Sequence, residues 1–211
     1  SVAYPNSGKV QLISNHNPRI VVFEGHGVDV CMDDDAPITD EMAVSTDRLR
    51  VVFQTMRERG YVPITWQEYI EWKLSADIIP MPKRCMLMTF YDYRYENYMN
   101  YDKRKPFELF NVKPGLAVIS DQEALTDTVQ IDGRTFTIKE IWEAIVRAGW
   151  YPCSHTKNHR ILNKYSSAEL QPLLKDYALS CNQLGIYSDI LVYPTGATGG
   201  GLINAIRQSA F

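Results

Sequence analysis

The chain has no apolar run long enough to cross a bilayer, no Cys-x-x-Cys pair and no excess of positive charge. Each absence excludes something. A helix spanning a membrane needs about 20 consecutive apolar residues, and nothing here approaches that length. Cys31, Cys85, Cys153 and Cys181 are scattered, which argues against a structural zinc site and against a dense disulfide framework. Cys85 and Cys153 fall within apolar runs, where a thiol acts as a small buried hydrophobe. A formal charge of −3 leaves no basic footprint for nucleic acid. No charged segment followed by an apolar one opens the sequence, so no signal peptide is visible. It begins at Ser1 rather than Met, however, which is compatible with a leader having been removed. Gly199-Gly200-Gly201 lacks a Walker lysine and a dinucleotide fingerprint, and reads as a loop rather than a phosphate cradle.

What remains is the composition of a globular protein, 45% hydrophobic and 22% charged, in 211 residues, enough for one domain with a sizeable core over residues 1–211. Residues 1–19, rich in Asn, Ser and Pro, read as an irregular lead-in. Asp33-Asp34-Asp35-Ala36-Pro37 lacks the alternating ligand spacing of a calcium loop and reads, with Asp40 and Glu41, as a solvated segment. Ile20–Phe23, Cys85–Phe90, Leu116–Ser120 and Asp189–Pro194 are strand-like apolar runs. The second is apolar at nearly every position, as in a strand buried on both faces. Between them lie helices with start signals: Ser45 or Thr46 before Leu49, Val52, Phe53 and Met56, and the capping-box spacings Thr65–Glu68 and Thr137–Glu140. A further helix opens at Ser166. The segment from Ser120 to Arg134 reads as a polar loop. Strands and helices alternate at α/β spacing, so right-handed crossovers place the strand ends on one rim.

His155 and His159 are separated by three residues just after a strand-like Tyr151-Pro152-Cys153. Neutral imidazole is a common zinc ligand, and in a helical turn residues i and i+4 share a face. The pair gains weight because Asp92, His155, His159 and Tyr193-Pro194 all follow strands and so fall on the same rim. One carboxylate and two imidazoles leave a divalent ion an open position, the pattern of a catalytic rather than a structural site. Zinc suits this set, as do iron and cobalt.

Three motifs then occur in order. Thr89-Phe90-Tyr91-Asp92 resembles the Thr-Phe-Asp-Asp motif of polysaccharide deacetylases, the NodB-homology or carbohydrate esterase 4 family. His155-Thr156-Lys157-Asn158-His159 is similar to that family's His-Ser/Thr-x-x-His motif. Tyr193-Pro194-Thr195-Gly196 resembles its Tyr-Pro-aromatic-Gly motif. The resemblance runs from about Ile20 to Gly196. It implies an α/β fold, a distorted (β/α) barrel whose last strands are absent from this chain or much altered. It also implies a divalent metal, zinc foremost, on Asp92, His155 and His159. Tyr193, Pro194 and Thr195 would line the substrate groove. The implied activity is hydrolysis of N- or O-acetyl groups on a carbohydrate polymer, in an extracytoplasmic setting.

Two departures follow from the same comparison. Tyr91 occupies the position of the family's general base, and a phenol of pKa near 10 is a poor base at neutral pH. No histidine follows His159, so the family's late general acid is missing; His26, at the end of the first strand, either supplies it or is a hydrogen-bonded rim residue. Glu24 and Asp29 are the nearest replacement bases. The other reading is a carbohydrate-binding relative whose turnover is impaired because Tyr91 replaces the catalytic aspartate.

Overall fold

The computed structural model describes residues 12–13, 18–30, 43–77, 79–90, 95–120, 124–183, 190–199, 202–204 and 206. Tyr91, Asp92 and the acidic segment from Asp33 to Glu41 lie outside the described residues. A two-residue strand within the expected lead-in, β1 (Leu12–Ile13), pairs antiparallel with β6 (Met81–Pro82). The framework is a parallel sheet in the order β11 (Tyr151–Ser154), β8 (Gly115–Val118), β7 (Arg84–Phe90), β2 (Arg19–Gly25). β3 (Gly27–Asp29) turns away from β2 to pair with β4 (Ala43–Ser45). All four main strands are parallel, so Gly25, Phe90, Val118 and Ser154 end on one rim.

The helices begin where local chemistry starts them. Ser45 caps α1 (Thr46–Glu58) by accepting the Arg48 N–H. Thr65 and Thr137 form complete capping boxes with Glu68 and Glu140 at the starts of α2 (Trp66–Leu74) and α5 (Ile138–Arg147). The segment after β7 forms a short helix, α3 (Glu96–Met99), and then α4 (Tyr101–Phe110), restarted by Asn100 accepting the Lys103 N–H. α6 (Ser167–Gln183) carries Leu170 and Leu174 into a separate small cluster with Leu162 and Leu202.

Residue alternation gives the sheet two distinct faces. On one, Met86, Met88, Phe90, Leu116 and Val118 meet Leu49 and Phe53 of α1, Phe107 and Phe110 of α4, and Ile138, Ile141, Trp142 and Ile145 of α5. Each of these large side chains contributes about 1.5–3 kcal/mol by leaving water, which makes this the main core. On the other face, Cys85 and Leu87 pack with Ile64 and Met81 under Trp66, Tyr69 and Trp72. Cys85 and Cys153 are both fully buried, as their apolar context indicates. Burial pushes the Cys85 thiol up to about 11 and the Cys153 thiol higher still.

One edge of β7 changes neighbour along its length. Its start pairs with β5 (Val62–Pro63), through Val62 beside Cys85, and its end pairs with β8, through Gly115 beside Thr89. The interval is filled by Trp66, whose indole N–H donates to the Met88 carbonyl at 3.0 Å. Gly115 makes room: a Cβ there would stand 2.8 Å from Trp66 Nε1 and 2.9 Å from Cys153 Sγ.

Two expectations are corrected. The segment between Ser120 and Arg134 contains the start of a hairpin, β9 (Thr128–Ile131) with β10 (Arg134–Thr137), turned at Asp132-Gly133 with both residues at positive φ. That is the geometry an Asp-Gly pair favours. The strand expected over Asp189–Pro194 reduces, among the described residues, to a single parallel bridge between Leu191 and Ser154. Among the described residues the four main strands and β5 form an open parallel sheet in a mixed α/β fold, and they do not close into a barrel.

Candidate active site at the strand ends

The histidine loop is tied to the sheet by continuing its ladder. The His155 N–H donates to the Val118 carbonyl at 2.8 Å, and the Ser120 N–H donates to the Thr156 carbonyl at 3.3 Å. On the other side, the Ser154 N–H reaches Ile190 O and the Val192 N–H reaches Ser154 O, both at 2.8 Å. The loop is thus held between the end of β8 and the chain at residues 190–192.

The two rings meet, but not by the expected route. The segment is not a helical turn: Thr156 has φ 67° and His159 has φ 57°. A β-branched residue at positive φ is a conformational outlier, costing of order 1–3 kcal/mol, of the kind that gathers at functional sites. Thr156 is fully buried there, and its hydroxyl accepts the Arg160 N–H at 3.2 Å, closing the turn around His159. The outcome is two imidazoles with ring centres 4.8 Å apart, inclined at 67°.

His155 is buried, at 1% exposure, and its Nδ1 lies 2.9 Å from the Val192 carbonyl. A carbonyl only accepts, so Nδ1 carries the proton, which makes Nε2 the acceptor nitrogen of the neutral ring. A backbone carbonyl orienting the far nitrogen is the usual support of a metal-binding histidine. Two imidazoles bound at about 2.0–2.1 Å to a tetrahedral ion hold their ring centres about 5 Å apart, which the observed pair matches. The spacing of the described pair is one that two ligands of a divalent ion would have. No group of three or more potential ligands occurs among the described residues; Asp92, the third expected ligand, lies outside them.

His26 follows β2 on the same rim, where the register ends at Gly25 beside Phe90. Its position is fixed through Asn97 of α3, which is 1% exposed, accepts the Val28 N–H at 3.0 Å and donates to the His26 carbonyl at 3.4 Å. Sequence reasoning missed Asn97; its only signal was an asparagine shortly after the aspartate motif. Glu24 pairs in register with Thr89, and Thr89 with Gly115, so Glu24 is on the sheet face that carries Cys153 rather than the face of the main core. Asp29 instead ends the separate pair of β3 with β4. Thr89 is buried, and its hydroxyl has no hydrogen-bond partner among the described residues.

Tyr193 packs against the α6 cluster, Pro194 is buried, and Thr195 is exposed at φ 61° in a 3₁₀ turn over Pro194–Gly196. All three follow directly on Val192, whose carbonyl orients His155. Between the histidines, Lys157 is drawn outward by Asp176 of α6 at 3.3 Å.

No protein-family model and no curated protein matches the sequence. Solved structures do match the fold. The Streptococcus pyogenes deacetylase PplD, in complex with acetate, is similar at TM-score 0.67 and 18% identity, over 92% of this chain and 81% of that one. A de-N-acetylase from Aggregatibacter actinomycetemcomitans is similar at TM-score 0.66 and 18% identity, over 90% of this chain and 84% of that one. A polysaccharide deacetylase from Bacillus cereus gives TM-score 0.61 at 17% identity, over 90% of this chain and 55% of that one. The chain has the polysaccharide deacetylase fold of the NodB type.

Proposed function

Starting from that fold, we propose that this chain is a metal-dependent hydrolase that removes N- or O-acetyl groups from a carbohydrate polymer. The observation that supports the reading is the facing pair His155 and His159 at the end of β11, with the His155 ring oriented by the Val192 carbonyl. Asp92, His155 and His159 would hold the ion, with zinc the first choice for this donor set. Bound there, it supplies Lewis-acid polarisation of the acyl carbonyl and acidifies water towards neutral pH. In this reading Tyr193, Pro194 and Thr195 border the sugar-binding groove, and the sheet, open among the described residues, is part of a distorted (β/α) barrel. An extracytoplasmic setting suits a polymeric substrate.

The chain's own residues divide the proton transfers. His26 is assigned to protonate the leaving amine or alcohol as the carbon–heteroatom bond breaks. Tyr91, where the family has aspartate, is a weak base unless a nearby cation lowers its pKa. Glu24, on the Cys153 face of the sheet, is the carboxylate we assign to take the proton from water. The measurement is acetate release from acetylated chito-oligosaccharides and acetylxylan, with zinc or cobalt added. Release that disappears in Glu24→Gln and His26→Ala supports these roles. No release by the wild type, but release after Tyr91→Asp, identifies the alternative that the Tyr91 departure favours: a carbohydrate-binding relative with impaired turnover.

A further inference from the structure

His26 sits on a corner with glycine on both sides, Gly25 and Gly27. Gly25 sits close to Phe90: a Cβ there would lie 3.1 Å from Phe90 Cε1, so the ring would have to shift to admit one. Flanking glycines widen the accessible backbone space, so the corner cannot by itself fix the direction of the His26 side chain. Beyond the corner, Gly27–Asp29 pair with β4 and Val28 is buried in the core; Asn97 bridges the two sides of Gly27. Its Oδ1 faces the Val28 N–H, which needs an acceptor, and its Nδ2 therefore faces the His26 carbonyl, 3.4 Å away. The two bonds grip the backbone on either side of Gly27; Asn97 itself is buried, as is its bond to the Val28 N–H, while the bond to the His26 carbonyl is part-buried.

We infer that Asn97 is a positioning residue, which sets the orientation of His26 at the mouth of the sheet. The inference rests on the proposed role of His26 as proton donor. It makes the corner carrying the donor depend on α3, a helix that begins four residues after Asp92 along the chain. Asn97 touches no reacting atom; it acts through the backbone of residues 26 and 28.

The test uses the full chain with zinc and acetylated chito-oligosaccharide. The variants are Asn97→Ala, His26→Ala and the pair combined. Asn97→Ala is expected to lower kcat about ten-fold, part of the hundred-fold or more a general acid supplies, with KM held within about two-fold. In the His26→Ala background the same change should have no further effect on kcat, because the group it orients is gone. The His26 ring should give one sharp set of NMR signals in the wild type and broadened or doubled signals in Asn97→Ala. If Asn97→Ala does not fold, Asn97→Asp serves. It keeps the acceptor for Val28 and sets an oxygen against the His26 carbonyl, so the same losses are expected. Equal slowing by the Asn97 change with and without His26, or unchanged ring signals, overturns the inference. Full kcat in His26→Ala removes the proton-donor reading instead, and the ring signals still decide whether Asn97 orients residue 26.

Discussion

The two corners that bring histidines to the rim are built by opposite means. The loop from His155 to His159 contains no glycine and holds two residues at positive φ, Thr156 and His159. Its conformation is unfavourable locally and is imposed by burial, by the ladder to Val118 and by the Thr156 hydroxyl on Arg160. The corner at His26 has glycine on each side, and its backbone is held by the pairing of β3 with β4 and bridged by one buried amide. The first corner sustains strain to hold two rings at a fixed spacing. The second has little local preference and takes its orientation from a neighbour. A rigid pair suits binding an ion; a separately oriented single ring suits passing a proton.

Substitutions can separate the two. The largest effect is expected from His155→Ala: stoichiometric zinc lost by elemental analysis, and deacetylation down by about a thousand-fold or more, since Lewis-acid stabilisation is worth several kcal/mol. His26→Ala should slow turnover by about a hundred-fold while zinc content is unchanged. Equal loss of zinc in both would erase the contrast. Thr156→Val keeps the branched shape but removes the hydroxyl acceptor. Denaturant unfolding should show a loss of about 1 kcal/mol, together with weaker zinc retention.

Acid gives a smaller, graded effect. The carboxyls of Glu140 and Glu169, on the helices before and after the histidine loop, are held below their ordinary pKa by hydrogen bonds from Thr137 and Ser166. A depressed carboxyl contributes stability that is complete above its ordinary value of 4.5 and fades as pH falls through the lowered one. Thermal midpoints of the metal-free protein should therefore decline below about pH 4.5, and less steeply with Glu140→Gln and Glu169→Gln combined. Smallest of all, Lys157→Ala should change stability by less than about 0.5 kcal/mol, because its bridge to Asp176 is solvent-exposed. A larger loss would mean that the loop leans on α6.

Much of the frame was legible because its determinants are local. The run Cys85–Phe90 reads as a strand buried on both sides, and the serine and threonine caps mark the starts of α1, α2 and α5. The nearness of His155 and His159 was legible too, though for the wrong reason. The spacing suggested a helical face, whereas left-handed residues at 156 and 159 bring the rings together. Such a loop is stabilised by Val118, Ser120 and Val192, which are distant in sequence, so no local pattern announces it. The Asp132-Gly133 hairpin was readable from its turn pair, and the polar residues around it hid it. Asn97 was not readable: a buried amide becomes meaningful only when the backbone it grips is known. The apolar run at residues 189–194 pairs with its neighbour only at Leu191 among the described residues, because pairing is a property of the partner as well as the strand.

The indole seated between β5 and β8 makes continuity of the sheet depend on a side chain. Sliding of α2 along its axis would draw Trp66 off the Met88 carbonyl and open a seam in the middle of β7, below the stretch that leads to the aspartate motif. The glycine opposite it leaves no space for a substituent to prop that seam apart. Helix and strand are thereby latched, and shear from beneath the sheet is passed to the rim that carries the histidines or resisted at this single residue.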